Sequence, residues 1–141
     1  MKLRILNHSK NSVLATHASV ADTPTSRKRG LLDHAPHEFT PGNGLLFPEC
    51  NSVHTVEMKF PIDVLFIDML KRRVQKAVSN AEPTCHFNTL IPAVVCSVLE
   101  LPAGVIQMTG TEAGDVIGIM SAGHSSQEEL QGIAMFWPTG A

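Results

Sequence analysis

"CNSVHTVEMKFPIDVLF", residues 50–66, decides the fold class, because it joins an alternating segment to an apolar one across a single proline. Extended chain puts successive side chains on opposite faces. Read that way, Cys50, Ser52, His54, Val56, Met58 and Phe60 share one face, and Asn51, Val53, Thr55, Glu57 and Lys59 share the other. The first face is expected to point inward, so Cys50, Ser52 and His54 enter the interior. Burying such groups without partners costs a few kcal/mol, so something is expected to satisfy them.

The pattern around this stretch is also β. From Leu45 onward short apolar segments recur, among them "GLLF", "IDVLFID", "PAVVCSVLEL" and "DVIGIM", separated by proline and glycine turns. Upstream, "KLRIL" and "SVLATHASVA" flank the turn formers of "NHSKN" and predict an opening hairpin. "MLKRRVQKAV" is ambiguous: Leu70, Val74, Ala77 and Val78 have helical spacing, whereas a strand would align Val74, Lys76 and Val78. The expected fold is mainly β, a small barrel or jelly-roll-like sandwich with two or three short helices. One helix would start at Thr23 and Pro24 and stop at Gly30, and another would run from Pro102 to Gly110. A third lies in the tail, where Ser126 and Glu129 form a capping-box pattern and Leu130, Ile133, Ala134 and Trp137 share a face. The expected organisation is a single β domain over 1–121 and a tail over 122–141. The tail helix is expected to dock on the barrel or on a second copy, which would make a homodimer.

Bulk composition narrows the function classes. A chain of 141 residues with 43% hydrophobic and 17% charged residues suits one self-sufficient globular domain. A formal charge of −2, one Trp and no Tyr supply neither the basic field nor the stacking platforms of nucleic-acid binders. No apolar run has the length of a signal peptide or a membrane span, so the expected location is cytoplasmic, with no membrane partner. Cys50, Cys85 and Cys96 lack any C-x-x-C pair, and reduced, buried thiols without metal or cofactor are expected. Asp33, His34, His37 and Glu38 in the loop "DHAPHEFTPGNG" make only a weak metal cluster.

Three chemistries compete for the polar row. As metal ligands, Cys50 and His54 would sit about 13 Å apart along a strand, too far to share one ion. As a hydrolase, Ser52 or Cys50 would be the nucleophile, His54 the base and Asp63 the orienter. Ser52 and His54 would be about 6.6 Å apart at Cα, but no glycine-flanked nucleophile elbow accompanies them. In the third reading the row lines a small pocket, or pairs with Asp63 and Glu100, two carboxylates in apolar runs that need donors. Such donors include Ser52, His54, backbone amides and the first-helix arginines, Arg29 among them. The order of expectation is binding of a small polar ligand near Ser52, His54 and Asp63, then a structural or protein-interaction role, then hydrolysis. Whether the chain is an enzyme stays open.

"CNSVHTVEMKFPIDVLF", together with "SRKRGLL", "GNGLLFPE", "SVLELPAG" and "GDVI" in that order, resembles the domain of unknown function family 192 over roughly residues 10–120. The resemblance implies a compact, mainly β domain like a small barrel or jelly roll, found in bacteria and archaea. It brings no activity, substrate or cofactor. The residues that carry it are Arg29, Gly30, Cys50, Ser52, His54, Met58, Phe60, Pro61, Asp63, Glu100, Pro102, Gly104 and Asp115. Many relatives have a tight Asp-Gly hairpin where this chain has Met69, Leu70 and Lys71, and the likeness favours strands on either side of that turn.

Overall fold

The computed structural model describes residues 2–23, 35–50, 52–54, 58–82, 86–88 and 96–122. Its strands are β1 (Lys2–Asn7), β2 (Ser12–Val20), β3 (Gly42–Phe47), β4 (Ser52–His54), β5 (Ile62–Asp68), β6 (Arg73–Ala81), β7 (His86–Asn88), β8 (Cys96–Pro102) and β9 (Ile117–Ser121). One α-helix, α1 (Val105–Thr109), and a 3-10 turn at Pro36–Glu38 complete the described elements. The expectation of two or three helices is therefore met by one among the described residues. The segment expected to be helical from Thr23 to Gly30, apart from Thr23 itself, and the tail helix lie outside them.

Seven strands form one sheet in the order β6-β5-β8-β3-β2-β1-β9, and β4 and β7 form a separate pair. The opening hairpin is present: β1 and β2 are antiparallel, and Asn11 takes the left-handed conformation (φ 52°) that closes the turn. The ambiguous segment after Met69 is a strand, with β6 antiparallel to β5. Its turn manages without glycine because Asp68 Oδ1 accepts the N–H groups of Leu70 (3.0 Å) and Lys71 (3.2 Å), while Arg72 takes the positive φ of 54°. An aspartate that bonds the backbone two residues on mimics a turn.

The sheet curls until its two edges meet at one end. Arg73 bridges Val116, Val74 exchanges hydrogen bonds with Asp115 and Gly114 (2.9 and 2.8 Å), and Ile117 N–H donates to Arg72 C=O at 2.8 Å. The result is a partial barrel rather than a flat sheet. Its central strands β5 and β8 are buried on both faces, which is why they read as unbroken apolar runs. On one face Leu65, Ile67, Leu99 and Leu101 join Leu3, Ile5, Ile117 and the buried side of α1, Val105 and Ile106. On the other, Val64, Phe66 and Val98 pack with Phe47, Met58, Phe60 and Phe39.

Small residues let β2 and β3 close up. A Cβ on Gly44 would lie 3.2 Å from Ala18 Cβ, 3.3 Å from Ala15 Cβ and 3.4 Å from a Leu101 methyl. Alanine Cβ atoms cannot rotate away, so Gly44→Ala should cost about 1–3 kcal/mol in chemical denaturation. A neutral result would mean that the β2–β3 spacing is looser than these distances.

Candidate functional site

The two buried carboxylates singled out in the sequence separate onto opposite faces of the sheet. Asp63 stands opposite Leu101, on the side packed by α1. Its Oδ1 accepts Asn80 N–H at 2.7 Å, and its Oδ2 accepts Gly104 N–H at 3.1 Å and Ile106 N–H at 2.8 Å. Because Gly104, the residue preceding α1, has no side chain with which to cap it, a strand residue from across the fold satisfies two orphan donors of the helix start. Asp63 thus ties β5, β6 and α1 together.

Glu100 is different. It sits in the middle of β8 between Leu45 of β3 and Val64 of β5, on the face of Val98 by strand alternation. Only 3% of its surface is exposed, and Oε2 is buried without a hydrogen-bond partner among the described residues. Burial pushes its carboxyl up from the ordinary 4.5 to about 8, so it is mostly protonated at neutral pH. A protonated carboxyl offers one O–H donor and one acceptor.

The opening stretch does not run as one long strand. β4 covers Ser52–His54 and pairs with β7, Ser52 opposite Asn88 and His54 opposite His86. A three-residue strand paired to another short strand does not carry alternation over eleven residues. Ser52 is exposed rather than inward, whereas Met58 and Phe60 are buried as expected. Cys50 is half-buried, its Sγ–H donates to Ser52 C=O at 3.0 Å, and its N–H donates to Cys96 C=O at 2.8 Å. The side chain of His54, and all of Arg29 and Cys85, fall outside the described residues. Among the described residues no group of three or more His, Cys, Asp or Glu could hold a metal ion, and no helix is long and apolar enough to cross a membrane.

The sequence profile of the domain of unknown function family 192, DUF192, described as "Uncharacterized ACR", matches residues 5–119. The chain belongs to the DUF192 family. Two solved structures share its fold. A protein of unknown function from Novosphingobium aromaticivorans is 21% identical with a TM-score of 0.67, over 83% of each chain. A Sinorhizobium meliloti protein, provisionally named a transcription regulator, is 24% identical with a TM-score of 0.66, over 82% of this chain and 90% of its own. No curated protein matches.

In this DUF192 chain a further polar cluster escaped sequence reasoning. Asn7 Nδ2 donates to Thr111 Oγ1 and Asp115 Oδ2 (both 2.9 Å), and Lys10 Nζ bonds Asp115 Oδ1 at 3.0 Å. Burial alone would raise the Asp115 carboxyl, but the Asn7 amide, the Glu112 N–H and the Lys10 ammonium outweigh it and hold it below the ordinary 3.8. Its contribution is therefore present above pH 3.8 and is lost as the pH falls through the lowered value. The cluster staples the first hairpin to the loop before β9. Its members lie more than a hundred positions apart, and no local pattern announces such a pairing.

Proposed function

We propose that this domain binds a small polar ligand, anchored by Glu100 on the face that carries Val64, Val98 and Phe47. The supporting observation is the buried carboxyl oxygen without a partner among the described residues. A fold gains nothing from such a group, since leaving it unsatisfied costs about 1–3 kcal/mol, and binding sites keep such costs where a ligand supplies the missing bond. The apolar surroundings suit a compact, neutral or cationic molecule with an N–H or O–H group. They disfavour an anion, whose charge the apolar walls would strip of water.

Of the other residues first considered, Asp63 supports a structural role, because its oxygens already accept three N–H groups. Hydrolysis has less behind it, with Ser52 exposed and the Cys50 thiol bonded to a backbone carbonyl. Native mass spectrometry of gently purified protein tests the binding reading. A retained small-molecule mass should fall about tenfold or more in Glu100→Gln, which removes the acidic anchor. Bare protein in both cases, with Glu100→Met simply more stable than wild type, would make Glu100 a structural acid and end the proposal.

A further inference from the structure

Cys50 and Cys96 are 46 positions apart in sequence, yet the turn after β3 sets them side by side. Glu49 takes a left-handed φ of 50° in that turn, and Cys50 N–H donates to Cys96 C=O at 2.8 Å. With ordinary covalent lengths that hydrogen bond keeps the two Cα atoms within about 6.7 Å, inside the disulfide range of up to about 6.8 Å. The directions of the side chains agree. Cys96 shares the face of Val98 by alternation, and Cys50 packs against the apolar cluster to which Val98 belongs. Both are thiols in this structure.

We propose that Cys50 and Cys96 form a redox-responsive pair that closes to a disulfide when a hydroperoxide oxidises Cys50. Cys50 is the half-buried member and meets the oxidant, while Cys96 is fully buried and resolves the intermediate. The Cys50 sulfur attacks one peroxide oxygen, the O–O bond breaks, and the departing hydroxide takes the thiol proton as water, leaving a sulfenic acid on Cys50. The Cys96 sulfur then attacks that sulfur, the S–O bond breaks, and the second hydroxide takes the Cys96 proton as water. Two thiols lose two electrons in all, and hydrogen peroxide is reduced to two waters. Burial, with Asp68 nearby, raises the Cys96 thiol, which keeps it protonated and slows its own reaction with peroxide, so the order of oxidation favours Cys50.

Closure has a local consequence. The disulfide removes the Sγ–H that donates to Ser52 C=O, so oxidation takes one hydrogen bond from the first carbonyl of β4.

Hydrogen peroxide added to the Cys85→Ser protein, which lacks the third cysteine, provides the test. The expected product is a monomer lacking two hydrogens, with the Cys50 and Cys96 peptides linked and dithiothreitol restoring both thiols. Adding Cys96→Ser should stop the reaction at a sulfenic acid on Cys50 that dimedone traps, and adding Cys50→Ser should leave residue 96 unmodified. Hydrogen exchange at residues 52–54 should rise on closure. Over-oxidation of Cys50 with Cys96 intact, or a bridge only between two molecules, would overturn the pair. Unchanged exchange at 52–54 would overturn its coupling to β4.

Discussion

Raising the pH from about 4.5 to about 8 should cost the folded domain up to about 5 kcal/mol, and Glu100→Gln should remove that dependence. In the folded state the Glu100 carboxyl titrates near 8, and in the unfolded chain near its ordinary 4.5. Within this window the folded protein keeps a proton that the unfolded chain has released, so stability drains as the pH rises and levels off above 8. The sign is opposite to that of Asp115, whose lowered value makes acid the destabilising direction. Urea midpoints at about pH 5 and about pH 8 for wild type and Glu100→Gln separate the two, because of these two carboxyls Glu100 is the one that titrates in that range. Parallel profiles would show that Glu100 gains a partner in solution or is not buried there.

Asp63→Ala should cost about 4 kcal/mol and should loosen α1 before the rest of the fold. The substitution leaves the N–H groups of Asn80, Gly104 and Ile106 without their acceptor, each worth about 1–3 kcal/mol and not fully additive. Asp63→Asn should recover only part of this. An amide keeps one oxygen, but its NH2 then points at N–H donors on one side, so either Asn80 or the helix start loses its bond. Urea denaturation measures the total, and hydrogen exchange at Ile106 reads the helix. A loss under about 1 kcal/mol for Asp63→Ala would sink the capping role.

Much of the β architecture was legible because it depends on short-range pattern. The runs "IDVLFID" and "CSVLELP" show the continuous burial of central strands, and both are buried on two faces. The same holds for the opening hairpin and for the glycine that ends α1, Gly110 with φ 70°. The candidate site was legible only as a set of residue types. Sequence marked Asp63 and Glu100 alike as carboxylates in apolar runs needing donors, but strand register alone decides which face each one takes, and only Asp63 meets the helix start. Alternation likewise assigned Ser52 inward, an inference that needs a long strand in a large sheet, whereas β4 is three residues paired with β7. The approach of Cys50 to Cys96 and of Asn7 to Asp115 depends on contacts across 46 and 108 positions. Side-chain chemistry and local hydrophobic period are properties of neighbouring residues, so the chain by itself determined a mainly β domain and a shortlist of reactive groups. Which of those groups are satisfied, which are left open and which touch was decided by tertiary packing, because hydrogen-bond partners and burial come from strands distant in sequence that only the curled sheet brings together.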